Sequence, residues 1–314
     1  MDTMTKTVCS INTLQFETST VCNAECSFCR HKNMSRNGQM SLHQIIDLIY
    51  HLAHKAQTVC PFWMQEPTID KRMTQTLSNI RCYAPKAQTE LYSNMGYFSQ
   101  EAWTTILQAG LLDSLIISFF GTDKATYNKL QPPLDFAQTK RNIKKLWKLR
   151  TKLAWTKPSI RIRLLITPET LDKTNKFYHD WKPYADEVAF TFLENWNGPP
   201  DEVLEFNNKY WGPPAPRVPC ARLYGGKIIA SNGNVAMCCM DYNITEKIGN
   251  VFHDGYDIWK DNIHLQRLKD FHEAGEWNKI PKCKNCTIYA YNHQKDWIEY
   301  WMNKKSFVYS AISR

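Results

Sequence analysis

The amino-acid sequence predicts an α/β fold: a parallel sheet with helices outside it, followed by a smaller domain built on a β-hairpin and a helix. Three observations predict it. Strand-like runs alternate with helical patterns over the first two-thirds of the chain, the order that gives a parallel sheet. A proline-rich stretch then breaks the alternation. Beyond it, an Asn-Gly turn separates two short apolar runs, a strong hairpin signal.

The predicted strands are Leu14–Thr18, Thr58–Met64, Thr89–Ser93, Ser114–Phe119, Ile160–Thr167 and Glu187–Leu193. The first alternates apolar and polar residues. The predicted helices are Ser41–His54, Asp70–Arg81, Ser99–Ala109, Phe136–Leu149 and Thr170–Trp181. Ser41 suits an N-cap, and Leu42, Ile45, Ile46, Ile49 and Leu52 fall on one face. Gly110 suits the C-cap of the third helix. The six prolines from Pro199 to Pro219 leave few backbone donors for regular structure, so 197–219 reads as a connector. Lys227–Ala230 and Val235–Cys238 flank the turn, and Asp257–His272 reads as a helix. The resulting domains are 1–196, the connector 197–219, 220–290, and a basic helix or tail over 291–314.

At 314 residues, the chain suffices for one large domain or two smaller ones. Its 43% hydrophobic and 22% charged residues suit an ordinary globular protein. Apolar runs are too short for a membrane span, and the N-terminus lacks a signal-peptide core. Eleven cysteines without a secretion signal point to a reducing, cytoplasmic setting and to metal binding rather than disulfides. The net charge is +9. Lys140, Arg141, Lys144, Lys145 and Lys148 alternate with Ile143, Leu146 and Trp147, as on the solvated face of a helix. The functional alternative is attraction of a phosphorylated, nucleotide or acidic substrate. No nucleic-acid recognition module is legible, and no such partner is expected.

Cys22, Cys26 and Cys29 form a C-x3-C-x2-C motif directly after the first strand. Three thiolates on one loop can hold three irons of a [4Fe–4S] cube and leave the fourth open. Chemistry needs an open position; structure needs a closed one. The loop lies at the carboxyl end of its strand, where ligands of parallel α/β folds collect. The alternative is a zinc knuckle, for which His31 is near enough to supply a fourth ligand. Cys220, Cys238, Cys283 and Cys286 form a second group, with Cys283 and Cys286 as a C-x2-C pair. Four thiolates suit zinc or a fully ligated [4Fe–4S] cluster, and spacing does not choose between them. Cys239 sits beside Cys238. Strand neighbours point to opposite faces, so one of the two is expected to reach the site. The spacing from Gly233 favours Cys238.

The first motif, with Phe28 before its last cysteine, resembles the signature of the radical S-adenosylmethionine (radical SAM) family. Six strands match that family's partial (β/α)6 TIM-like barrel. The resemblance implies that the open iron chelates the amino and carboxylate groups of SAM. One electron then splits SAM into methionine and a 5′-deoxyadenosyl radical, which takes a substrate hydrogen. An external one-electron reductant, flavodoxin or ferredoxin, is implied. Phe28 is expected near the adenine. Glu66-Pro67 resembles the end of the Gly-Gly-Glu-Pro motif, with Met64 and Gln65 where the glycines stand, and Glu66 is expected at the SAM amino group. Tyr92 to Gly96 is similar to the Thr-Asn-Gly stretch and brings Asn94 near SAM. Ile117 to Gly121 is similar to the Ser-x-Asp-Gly motif, with Phe120 in place of the acid and Ser118 toward SAM. Arg163 is the preferred partner for the SAM carboxylate.

The stretch from Cys220 to Cys286 resembles the auxiliary-cluster domain of the same family. No cysteine follows Cys286, so it is similar to the one-cluster twitch form rather than to the two-cluster SPASM form. Its cysteine spacing is much like that of an alcohol dehydrogenase of the family. The expected cofactors are therefore SAM, its [4Fe–4S] cluster and an auxiliary [4Fe–4S] cluster.

Three reactions are open. A dehydrogenase would oxidise a small or medium polar molecule and pass one electron to the auxiliary cluster, with Asp241 or Glu194 as candidate base. A peptide-modifying enzyme often carries a leader-recognition domain, for which the 21 residues before the motif leave no room. An epimerase would return a hydrogen atom from Cys60, Cys82 or Cys239. The aromatics Phe62, Trp63, Phe119, Phe120, Trp196 and Trp211 are candidates for the pocket wall, against the plainer alternative of core packing.

Overall fold

The computed structural model describes residues 11–192, 205, 209 and 216–288. Six parallel strands form the body: β1 (Ile11–Phe16), β2 (Ala56–Cys60), β3 (Gln88–Ser93), β4 (Ser114–Ser118), β5 (Ser159–Ile166) and β6 (Glu187–Phe192). They neighbour one another in sequence order, as right-handed βα units place them. Between them lie α1 (Leu42–Leu52), α2 (Met73–Tyr83), α3 (Gln100–Gln108), α4 (Lys124–Leu130), α5 (Phe136–Lys152) and α6 (Thr174–Trp181). This is the partial TIM-like barrel of the sequence reading.

Local chemistry sets the helix ends. Ser41 Oγ accepts from the Gln44 amide at 3.1 Å and the Gln44 side chain accepts from the Ser41 amide at 2.8 Å, a capping box. Ser99, Asp123 and Asp135 cap α3, α4 and α5, each side chain accepting from the backbone amide three residues on, without the reciprocal bond of a box. The second helix starts later than the sequence suggests. Asp70, its expected first residue, spends its carboxylate on the Arg72 guanidinium and the Thr18 hydroxyl. Gly110 has φ +58, the left-handed conformation that ends α3.

The outward side of the sheet supplies Leu14, Val59, Leu91, Leu115, Ile117 and Ile162, all buried beneath the helices. The concave side carries Tyr92, Ser118 and Arg163, partly open to a cavity. Strand alternation therefore gives one apolar face and one polar, ligand-sized face.

The smaller C-terminal part continues the same sheet. After α7 (Ala221–Gly225), β7 (Gly226–Ile229) pairs parallel with β1, and β8 (Asn234–Ala236) and β9 (Lys247–Asn250) follow antiparallel. The first strand thus has a covered edge. Gly233, at φ +82, makes the hairpin turn; a Cβ there would meet Phe252 at 2.3 Å. The predicted helix over 257–272 forms only as α8 (Ile263–Glu273). Asp261 adopts φ +54, and Asn262 then caps the helix by accepting from the Leu265 amide. A last short helix, α9 (Pro281–Lys284), carries Cys283. Most of the connector 197–219 and all of 291–314 lie outside the described residues.

Candidate functional site

The loop after β1 is anchored by buried charge. Glu17 has no exposed surface. Its carboxylate accepts from Nη1 and Nη2 of Arg36 and from the amides of Met64 and Ser231, each amide at 3.3 Å. Pairing and multiple donors are what make a buried carboxylate tolerable. The cysteine segment itself is gripped from the end of α4: the Glu25 amide donates to Pro132 O and the Ser27 amide to Leu130 O at 3.0 Å.

Cys22, Cys26 and Cys29 line a cavity of about 230 Å³ at the carboxyl end of the sheet. Phe28, Glu66, Asn94, Ser118 and Arg163 line the same cavity. Five separately read motifs are thereby brought to one place. Burial pushes all three thiols up, Cys22 to about 12. A bound metal displaces such protons, because the thiolate is the ligand. His31 also lines the cavity, and its Nε2 lies 2.7 Å from Thr20 O.

Glu66 is buried and heavily bonded. One oxygen accepts from the Thr68 amide, the Thr68 hydroxyl and Ser93 Oγ; among the described residues the other accepts only from the Asn94 amide at 2.7 Å. Two carboxylate oxygens offer about four lone-pair sites. The second oxygen thus keeps capacity for a ligand donor. Burial raises the Glu66 pKa against those hydrogen bonds. Asn94 is already engaged: its Nδ2 donates to Asn23 Oδ1 at 2.8 Å, tying β3 to the cysteine loop. Gln65, where the family has glycine, turns its side chain onto Thr18 Oγ1 and the Ser19 amide.

Arg163 stacks over Tyr92 at 5.0 Å, and its buried Nε has no hydrogen-bond partner among the described residues. A buried guanidinium nitrogen left unpaired is costly unless an anion arrives. Phe28 meets Phe120 edge-on, with centroids 5.1 Å apart. Phe120, in the place of the family's acid, makes that wall apolar together with Leu130 and Leu165. Phe62 and Trp63 line the cavity too. Phe119 does not; it packs among Tyr127, Phe136 and Trp181. Trp196, Trp211 and Glu194 lie outside the described residues.

Sequence reasoning missed Gln131. It is buried, lines the cavity, accepts from the Phe120 amide at 2.7 Å and donates to Ser118 O at 3.0 Å. It follows α4, a helix too short for the periodicity to show. Asn23 was hidden for another reason: a loop amide carries no pattern.

Cys220, Cys238, Cys283 and Cys286 line one small void of about 30 Å³. They come from the residue before α7, the turn after β8, and α9 with its end. Burial pushes Cys238 well up and Cys283 to about 12. The lining holds four cysteine thiols, the thioethers of Met237 and Met240, one imidazole and, among the described residues, no carboxylate. Such a soft donor set suits iron–sulfur or zinc. Among the described residues no three ligand side chains stand close enough for a single metal ion.

Cys238 and Cys239 lie beyond β8 in a turn, not in the strand expected for them. The turn still separates them. Cys239 is absent from the lining of either cavity; its sulfur accepts from Arg222 Nη1 at 2.8 Å, and its carbonyl from Trp63 Nε1 at 2.9 Å. Asp241 is fully buried outside both cavities. Its oxygens accept from the Thr245 amide and hydroxyl and the Glu246 amide, each at 2.9 Å, which holds the turn. Cys60 is buried and Cys82 exposed, and neither lines the first cavity.

Comparison with known proteins agrees with this geometry. The model of the radical SAM superfamily matches residues 16–180, more than half of the chain. The model of the iron–sulfur cluster-binding SPASM domain matches residues 220–287. No curated protein matches significantly by sequence. Among solved structures, anSMEcpe with bound AdoMet superposes with a TM-score of 0.62 at 13% identity, covering 96% of this chain and 98% of that one. BtrN in complex with AdoMet and 2-DOIA gives 0.57 at 17% identity, covering 88% and 92%. SuiB of Streptococcus suis, bound to precursor peptide SuiA, gives 0.57 at 14% identity, covering 90% and 71%. At such identities these likenesses establish the fold.

Proposed function

The chain belongs to the radical SAM superfamily, and from that premise we propose that it is an oxidoreductase removing two hydrogens from a small or medium polar molecule. It is an enzyme that uses SAM, a SAM-binding [4Fe–4S] cluster and an auxiliary iron–sulfur cluster. When bound, the first cluster with SAM supplies a hydrogen-atom acceptor, the 5′-deoxyadenosyl radical, and the second supplies a one-electron acceptor.

In this reading Cys22, Cys26 and Cys29 hold the first cluster. The free capacity of Glu66 takes the SAM ammonium, and the unpaired Nε of Arg163 takes a carboxylate. Phe28 bounds the adenine side, and Ser118 lies at the end of β4 for a ribose contact. Cys220, Cys238, Cys283 and Cys286 hold the auxiliary cluster. Flavodoxin or ferredoxin is the proposed reductant.

The observation that carries the reading is Trp63. It lines the SAM cavity, and its indole N–H donates to the carbonyl of Cys239, next to Cys238. Trp63 and the Cys239–Cys238 backbone thus connect the wall of the cavity to the four-cysteine void.

The test is product analysis with a reconstituted enzyme and a panel of polyols, amino sugars and peptides. Dehydrogenation gives a product two hydrogens lighter and one 5′-deoxyadenosine per turnover. A product of unchanged mass that gains one deuterium in heavy water would instead make the enzyme an epimerase. Modification of peptides alone would overturn the small-molecule reading. Among the described residues no helix is long and apolar enough to cross a membrane.

A further inference from the structure

His272 stands in the wall of the four-cysteine void and is 2% exposed. It lies on the last turn of α8. Its ring is fixed from two sides. The Cys220 amide donates to Nδ1 at 3.4 Å, and Nε2 lies 3.4 Å from Cys283 Sγ. A backbone N–H can only donate, so Nδ1 must present a lone pair. An imidazole with a lone pair on Nδ1 is neutral and carries its proton on Nε2. That Nε2–H faces the Cys283 sulfur.

The surroundings hold the ring in this pose. Trp277 packs against it edge-on with centroids 5.8 Å apart, and the Arg217 guanidinium lies over Trp277 at 4.9 Å. Arg217 also donates to the Cys283 carbonyl. Two donors therefore converge on Cys283, one on its backbone and one on its sulfur.

We propose that His272 is a positioning residue of the auxiliary cluster, a locked Nε2–H donor to the Cys283 thiolate that raises the cluster's reduction potential. The inference rests on the assignment of the four cysteines to that cluster. Hydrogen bonds to cluster sulfurs favour the reduced, more negative state, and partners beyond the ligands tune metal sites in this way. A higher potential makes the cluster a better electron acceptor, which the proposed dehydrogenation needs. No other part of the function accounts for a neutral, doubly held histidine here.

The test uses the full chain carrying Cys22/Cys26/Cys29→Ala, so that one cluster reports. About four irons per chain are expected. Their absence would refute the cysteine assignment itself, and the role of His272 with it. With iron present, pulsed EPR of the reduced cluster in nitrogen-15-histidine-labelled protein should show a weak nitrogen coupling. No coupling would overturn the inference, as would one of the size given by direct Fe–N ligation. In a redox titration, His272→Leu should move the midpoint to more negative values. His272→Gln, whose amide can still donate toward Cys283, should restore it at least in part. An unchanged midpoint in His272→Leu would also sink the proposal. If that variant fails to hold its cluster, the labelled spectrum of the parent chain decides.

Discussion

Cys22, Cys26 and Cys29 lie on one loop and face a cavity of about 230 Å³, whereas Cys220, Cys238, Cys283 and Cys286 come from three segments and close on about 30 Å³. The first group opens on a cavity beside its sulfurs; the second leaves only a small void between them. Around the first, polar groups keep unused capacity, notably Arg163 Nε and one oxygen of Glu66. Around the second, the imidazole of His272 is engaged at both nitrogens. An open cavity and a closed void are thus told apart by what stands next to the sulfurs, as the proposed division of roles requires.

The largest effect should come from emptying the open site. Cys22/Cys26/Cys29→Ala should bring SAM cleavage below detection and reduce the iron from about eight to about four per chain. Iron and acid-labile sulfide, with 5′-deoxyadenosine by chromatography, would show it. Iron falling to zero would refute the assignment of Cys220, Cys238, Cys283 and Cys286 to a second cluster, and the comparison would break.

Next in size is the contrast within the Cys238–Cys239 pair. Cys238→Ala should lose about four of about eight irons and Cys239→Ala none, because Cys238 alone of the two lines the void. The same iron assay reads both variants. Loss of iron in Cys239→Ala would reassign the ligand.

A smaller, graded effect should follow at Glu66. Glu66→Gln keeps an acceptor for Ser93 and Thr68 but sets an NH2 group against the Asn94 amide, or against a SAM ammonium. Affinity for SAM should fall about tenfold, roughly 1.4 kcal/mol, as read by equilibrium dialysis, with the iron count unchanged. Glu66→Ala should add a stability loss of about 1–3 kcal/mol for each buried donor left unpaired. A Gln variant that binds SAM as tightly as the parent would leave Glu66 as a tie between β2 and β3 and nothing more.

How far these sites were legible follows from the same contrast. Cys22, Cys26 and Cys29 form a local pattern after a strand, and the strand's alternation said where the loop had to lie. The six barrel strands were legible as short apolar runs between helical patterns, although the second runs over Ala56–Cys60 and not Thr58–Met64. Of the four C-terminal cysteines, Cys283 and Cys286 form a local pair; the set was grouped by cysteine chemistry and its cluster type given only by a family resemblance, since Cys220 and Cys283, 63 positions apart, carry no periodic signal. Gln131, Asn23 and the tie between Trp63 and Cys239 were not legible at all. Each depends on tertiary contact between segments whose own patterns are silent. Asp241 shows the opposite failure: its position near Cys238 suggested a base, but proximity in sequence to a ligand says nothing of what its oxygens already accept.

The smallest effect on the sites should come from the amino end of the sheet. Asp113, just before β4, accepts from Arg81, from Lys157 and from the amide and hydroxyl of Thr89 at 2.6–3.1 Å. Burial pushes its pKa up, but the hydrogen bonds from Lys157, the Thr89 amide and Arg81 outweigh it and hold the group at about 2. A carboxyl held below its unfolded value of about 3.9 contributes stability above that pH and loses it as pH falls through the folded value. Asp113→Asn should therefore cost about 1–3 kcal/mol at pH 7 and leave both iron sites filled. In the cluster-free chain, denaturant midpoints followed by tryptophan fluorescence should differ between parent and variant at neutral pH and converge from about pH 4 down to about pH 2. A gap that stayed constant over that range would mean that Asp113 acts through its shape and not its charge. A variant that lost iron from either site would mean that the frame and the sites are not separable, since Asp113 supplies no ligand to either.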